Sequence, residues 1–236
     1  MAALEDVRRR ALALDLGAPL TIRVNPRARR LLLKVDAADR AVELVLPRGV
    51  SAEYGYRFLK AQQVWIATRL AALPHRVPFV EGAIVPVLGT PYRIRRETDP
   101  AAPPVAMVNG EIRVRGDPDH LARRVRDHLM RVATREMTRR ARLLAARIGR
   151  HVSRVTVRDT STRWGSCSAT GCLSFSWRLV LAPESVLDYV VAHEVAHLAE
   201  MNHGPRFWRV VQSLTSDHEA PRAWLTRHRN KLWAYG

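Results

Sequence analysis

Residues 192–208 read AHEVAHLAEMNHGPRFW. Three histidines and two glutamates crowd into this stretch, and the signals for a helix stop part-way through it. On a helix, the four-residue spacing of His193 and His197 sets their side chains about 40° apart around the axis and roughly 6 Å apart along it. They point the same way and can share one metal ion. Pro183-Glu184 opens the helix. Leu187, Val191, Val195 and Leu198 mark its apolar stripe, nearly opposite the two histidines. The histidines therefore face a cleft or a second layer, not the core beneath the helix.

A catalytic zinc site takes three protein ligands and keeps a position open for water. On a continued helix His203 would lie roughly 9 Å beyond His197, at 1.5 Å per residue, and point elsewhere. It reaches the metal only if the helix ends between about Glu200 and Asn202. Asn202 tolerates the left-handed conformation that ends helices, and Gly204-Pro205 cannot continue one. Phe207 and Trp208 are expected to anchor the returning segment. Asp217 and Glu219 are the alternative third ligands. Glu194 sits about 100° round from His193, beside the metal, where a carboxylate can take a proton from an activated water. The expected chemistry is hydrolysis. Three imidazoles favour zinc-type metals over Mg²⁺, which prefers carboxylates. Glu200 is either a solvated residue or a hydrogen-bond partner of a ligand. Tyr189, one turn before His193, is either a wall residue or an oxyanion donor.

The rest of the chain bounds these expectations. It has 236 residues, 47% of them hydrophobic, enough for one large or two small domains. Two cysteines, Cys167 and Cys172, imply no disulfide framework and suit a reducing compartment. The start lacks the apolar core of a signal peptide, and no run of about 18 apolar residues exists, so a cytoplasmic location without a membrane partner is expected. The formal charge is +17, and 36 of the 39 basic residues are Arg. Such a charge favours non-specific nucleic-acid association, but arginine scattered by codon bias produces it equally well.

Along the chain, 20–46 reads as a meander of strands at 20–24, 29–35 and 41–46. A helix follows over 52–73, capped by Ser51. Two short strands flank Gly89-Thr90-Pro91, and Asn109-Gly110 marks a hairpin within 105–114. A long helix runs from Asp117-Pro118 to about Gly149. Its apolar stripe includes Leu121, Val125 and Leu129, and Arg123, Arg124, Arg126, Arg139, Arg140 and Arg142 lie on its other face. Strands at 154–158 and 172–177 flank the polar loop DTSTRWGSCSATG. An aromatic helix around Trp224 and Trp233 closes the chain.

HEVAHLAEMNHGPRFW, preceded by DTSTRWGSCSATGCLSFSWRLVLAPESVLDYVV, resembles the YgjP-like metallopeptidases, relatives of the SprT-like and wider zincin groups. The likeness extends weakly upstream through PRGVS (47–51) and covers about residues 20–235. It implies an α+β fold in which a zincin-like catalytic core, the HExxH helix on a small antiparallel sheet, follows a β-rich N-terminal region. It also implies His193, His197 and His203 as zinc ligands and Glu194 as the catalytic acid–base. The expected organisation is a tail at 1–19 and a metallopeptidase domain at 20–236, with lobes 20–116 and 117–236. Strand 172–177 is expected to edge the cleft and pair with an extended peptide. Metzincins share the spacing, but they carry Gly where this chain has Glu200, and no Met-turn is present.

Three functions remain open on these residues. The first is a zinc metallopeptidase. The second is a metal-dependent phosphohydrolase acting on nucleotides, with arginines as phosphate clamps. The third is a basic nucleic-acid-associated protein with a structural metal. Arg163 of the RWGSC loop either binds a substrate carboxylate or phosphate, or packs the loop with Trp164 against the site helix.

Overall fold

The computed structural model describes residues 9–11, 14–37, 39–160 and 162–236. The chain divides between His75 and Arg76 into two compact units, whereas the sequence reading drew the lobe boundary at 116/117. The strands of 84–115 thus belong with the histidine motif.

In the first unit, β1 (Leu20–Asn25), β2 (Leu32–Asp36) and β3 (Ala41–Pro47) form a sheet in the order β1-β3-β2. The expected meander is not what forms, because β3 takes the centre and pairs parallel with β1. β3 is the strand whose residues are buried almost throughout, from Val42 to Pro47, and a central strand is the place for a continuous apolar run. Helices α1 (Ala52–Ala61) and α2 (Gln63–Ala71) follow. The expected single helix is interrupted at Gln62, whose φ and ψ of −98° and 8° leave the helical range. Ser51 caps α1 by accepting from Tyr54 N at 3.2 Å. Ile22, Leu44, Leu59, Ile66 and Leu70 make this unit's core, and Ala11 joins it at 1% exposure. Part of the expected 1–19 tail is therefore packed structure.

In the second unit, β4 (Ile84–Val87), β5 (Thr90–Glu97), β6 (Val105–Val108) and β7 (Glu111–Arg115) form a sheet in the order β4-β5-β7-β6. Both hairpins turn on two residues with positive φ, Leu88-Gly89 and Asn109-Gly110. That is the geometry whose twist matches paired strands. Asp117 accepts from Asp119 N at 2.9 Å and starts the turn that leads into α3 (Leu121–Arg147). Leu121, Val125, Leu129, Val132, Met137 and Ala141 are its buried stripe. Arg140, expected on the solvated face, is instead buried. It donates from Nε to Asp188 at 2.6 Å and pairs with Glu136 and Glu184.

The last sheet has β8 (Arg154–Arg158), β9 (Gly165–Cys167) and β10 (Cys172–Ser176) in the order β8-β10-β9. It is mixed rather than antiparallel: β10 runs parallel to β8 and antiparallel to β9. A short 3₁₀ turn, Trp177–Leu181, is buried throughout and leads into α4 (Glu184–Ala196). α5 (Pro205–Leu214) and α6 (Glu219–Trp233) complete the unit. α4 packs on α3, α5, α6 and β9. It is buried nearly all round, Leu187, Val191, Ala192 and Val195 fully, so the motif it carries is fixed from several sides.

Candidate active site

α4 ends at Ala196, with His197 as its cap, about one turn earlier than the sequence reading placed it. Leu198 N and Ala199 N donate to Val195 O and Ala196 O in a last tightened turn. Asn202 does not take the left-handed conformation. Gly204 and Pro205 do more than stop a helix. Gly204 is the N-terminal cap of α5 and Pro205 its first residue, where a missing N–H costs nothing. The break swings His203 back towards α4.

The ring nitrogens of His193, His197 and His203 able to hold a metal ion lie within 4.8 Å of one another. His203 Nε2 and His193 Nε2 are 3.0 Å apart. Two nitrogens on one tetrahedral zinc, each at ~2.0–2.1 Å, stand roughly 3.3 Å apart, so the pair is close to the separation a shared ion requires. His197 Nδ1 lies 3.1 Å from Glu200 O. This contact leaves Nε2 of His197 as the ligand atom and orients the ring as ligating imidazoles commonly are. Glu200 thus acts through its carbonyl, not its carboxylate. His193 Nδ1 is buried without a partner among the described residues. Burial, followed by His197, His203 and Arg222, holds the His193 pKa down to about 4. Burial and His203 lower His197 too. Neutral imidazole is the form that ligates.

Phe207 is fully buried beneath the triad, its ring centroid 4.5 Å from that of His197 and 4.6 Å from that of His203. It anchors the returning segment as expected, with Trp208 at 6.3 Å from His203. Asp217 is not part of the cluster. Its Oδ1 accepts from Glu219 N at 2.9 Å and Ala220 N at 3.3 Å, at the start of α6. Glu219 is likewise outside the cluster.

Glu194 is 7% exposed, and burial pushes its pKa up to about 7 against the opposing pull of Arg163. A carboxylate with that affinity takes and returns a proton near neutrality. Its neighbour across the gap is Gly165 of β9. A Cβ placed there would stand 2.5 Å from Glu194 Oε1 and 2.6 Å from Cγ. The sequence reading did not single out this contact, although an isolated Gly in a strand often marks close approach of another group. Arg222 was also missed: its guanidinium stacks over Trp208 and its charge reaches His193 and Tyr189. Tyr189 is buried, with its ring 5.9 Å from that of His193.

Other expectations shift. Trp164 meets Trp233 of α6 edge to face, with centroids 4.0 Å apart and planes at 69°, so the RWGSC loop is held by the C-terminal helix. Arg163 is exposed. Cys167 and Cys172 are free and half-buried. β10 has β8 on one side and β9 on the other, so strand 172–177 has no edge to offer a peptide. The edge beside Glu194 is β9. Ser176 N donates to Trp164 O and Ser168 N to Cys172 O, both at 2.9 Å. In an antiparallel ladder this phase turns the peptide groups of Gly165 and Cys167 outward.

The sequence pattern of the YgjP-like metallopeptidase domain matches residues 29–228. The chain belongs to the YgjP-like metallopeptidase family. The match runs from before β2 into α6 and takes in the whole histidine motif. No curated protein matches the chain. Among solved structures, the metallopeptidase zymogen of Pyrococcus abyssi abylysin aligns over 41% of this chain and 95% of its own length, at 19% identity and a TM-score of 0.34. As a YgjP-like metallopeptidase the chain carries a mixed α+β fold, and among its described residues no helix is long and apolar enough to cross a membrane.

Proposed function

We propose that this chain is a zinc-dependent peptidase with His193, His197 and His203 as metal ligands and Glu194 as general base. The supporting observation is the convergence of three imidazoles, those of His193 and His197 with lowered pKa, beside a buried carboxylate of raised pKa. The donor set is nitrogen only, which suits zinc rather than Mg²⁺ or Ca²⁺. Zinc, when bound, supplies Lewis acidity to the attacking water and the scissile carbonyl. The protein does the rest. Glu194 accepts a proton from the water on its carboxylate and passes it to the leaving amine nitrogen. The α4 and α5 caps hold the two halves of the ligand set. The free edge of β9 offers the outward peptide groups of Gly165 and Cys167 to an extended substrate, a role first assigned to strand 172–177. In this proposal the site helix and the β8-β10-β9 sheet form a zincin-like core. Two unpaired cysteines fit a reducing compartment, and we assign the cytoplasm.

The test is cleavage of casein and a peptide library by wild type and Glu194→Gln, with zinc content measured on both. The expected result is zinc in both proteins and cleavage in the wild type alone. A zinc-loaded wild type that hydrolyses nucleotides and leaves every peptide intact would replace the peptidase with the phosphohydrolase.

A further inference from the structure

The β8-β10-β9 sheet has two unlike faces. Side chains alternate along a strand, and the register pairs Ser174 with Thr156 on one side and with Ser166 on the other. Arg154, Thr156, Arg158, Ser166 and Ser174 therefore share one face. Val155, Val157, Leu173, Phe175 and Gly165 share the other, where Gly165 meets Glu194 of α4. The first face is a groove of about 450 Å³ that Arg163 also lines, and among the described residues no acidic one lines it.

The donors there are free. Arg154, Arg158 and Arg163 are exposed, and their guanidinium groups make no ion pair among the described residues, nor do the Ser166 and Ser174 hydroxyls make a hydrogen bond. This contrasts with the arginines nearby. Arg126 and Arg178 both pair with Asp159, at 2.7 and 3.0 Å, and Arg140 binds three carboxylates. Guanidinium offers donors and no acceptor, so such a lining suits a ligand that presents acceptors only.

Spacing decides which anion. Arg154 and Arg158 are four residues apart on one strand, roughly 13 Å at ~3.3 Å per residue. They do not converge on one phosphate, but a polymer with charge at every repeat meets both. β8 and β9 are two strand spacings apart, roughly 10 Å, which admits a single extended strand. Peptides present N–H donors as often as carbonyls, whereas the three charged side chains of the lining only donate and its hydroxyls are its only side-chain acceptors.

We propose that this outward sheet face docks single-stranded nucleic acid through its phosphates, held by Arg154, Arg158 and Arg163. The bound strand lies on the sheet face opposite Gly165 and Glu194, and of its three arginines Arg163 is the one whose charge also acts on Glu194. The inference does not depend on the peptidase reading.

The test is fluorescence anisotropy of the full chain with a labelled DNA strand of about 12 nucleotides, within the usual range of single-strand sites. Salt is varied through the series. Three phosphate contacts give a slope of log affinity on log salt near −2, at about −0.7 per phosphate. Arg154→Glu/Arg158→Glu should raise Kd at least tenfold at low salt and flatten the slope by about 1.4. Arg131→Glu/Arg142→Glu makes the same charge change on the exposed face of α3 and should leave the slope unchanged. Circular dichroism melts of both variants establish that they fold. Equal losses in the two variants would mean diffuse surface charge and overturn the proposal. So would an unaffected Arg154→Glu/Arg158→Glu variant, equal binding of a duplex, or displacement of the strand by poly-glutamate as readily as by unlabelled DNA.

Discussion

Gly165→Ala puts one methyl group against the proposed base. The added carbon would lie 2.5 Å from Glu194 Oε1, 2.6 Å from Cγ and 2.8 Å from Cδ, whereas ordinary contact starts at 3.4 Å. Rotating the carboxylate relieves the oxygen but not Cγ, which stays tied to the buried backbone of α4. The side chain must therefore move by about 0.8 to 0.9 Å, or β9 must back away. Gly165 does not have a positive φ, so alanine strains nothing else. A misplacement of ~1 Å in a catalytic group costs on the order of 10²-fold in rate. The expected result is a fall of that size in kcat, with KM and zinc content near wild type. The pair with Glu194→Ala sharpens the reasoning. Alanine has no Cγ for the new methyl to meet, so Gly165→Ala should take little more from the residual activity in the Glu194→Ala background. Full activity in Gly165→Ala, or losses that simply add, would refute the contact as a positioning device. Loss of zinc in Gly165→Ala would show that the glycine serves the ligands instead.

Four further outcomes follow from the same geometry. His203→Ala should leave the protein folded but with most of its zinc lost by mass spectrometry, because two imidazoles on one helix make a weak site. Arg140→Ala should cost about 2 kcal/mol in chemical denaturation, less than a fully buried pair would, since Glu184 and Asp188 are half exposed and can rehydrate. Phe207→Ala should cost about 3–5 kcal/mol and lower zinc affinity as well, because the ring packs on all three imidazoles. The pH dependence of the metal-stripped protein carries two opposed contributions. Glu194, raised to about 7, favours folding at low pH and loses that as pH climbs from about 4.5 to 7. His193, lowered to about 4, favours folding above 6.5 and loses that as pH falls towards 4. Glu194→Gln deletes the first contribution. Its unfolding free energy should then drop by about 1.4 kcal/mol per pH unit more than wild type between pH 6.5 and 4.5, and equal slopes would contradict these assignments.

Much of the site was legible because it is local. The four-residue histidine spacing, the glutamate between them and the helix stop are properties of a short segment, and the Asn109-Gly110 hairpin is equally self-contained. What the sequence did not reveal depends on partners far along the chain. β3 takes the centre of its sheet because its apolar run is the longest, and no strand carries its neighbour's identity in its own residues. β10 looked like an edge for the same reason. Arg140 has the pattern of a solvated helix residue, and only Glu184 and Asp188, more than forty positions on, make it a buried cross-link. Gly165 read as part of a polar loop, and both its place in β9 and the side chain it admits are set by the packing of β9 on α4.

The triad is assembled across a break between two helices, and that has an energetic consequence. Only eight residues separate Ala196 from Pro205, so closing the loop costs little entropy. Phe207 supplies the burial that fixes its far side. In this arrangement His193 Nε2 faces His203 Nε2 at 3.0 Å, and His193 Nδ1 is buried without a partner. Two imidazoles at that distance can share a single proton or a cation, and a buried unpaired nitrogen costs on the order of 1–3 kcal/mol. The fold therefore holds the two facing Nε2 atoms in a state that a cation relieves, while Nδ1 of His193 keeps its cost with or without the ion. Zinc should raise the unfolding midpoint by an amount that grows with free metal concentration, as binding to the folded state alone requires. If His193→Gln melts at a higher temperature than metal-stripped wild type while gaining nothing from zinc, the strain and the ligation both belong to that ring. If zinc stabilises His193→Gln as much as wild type, the ion is held elsewhere, and the proposed ligand set fails with it.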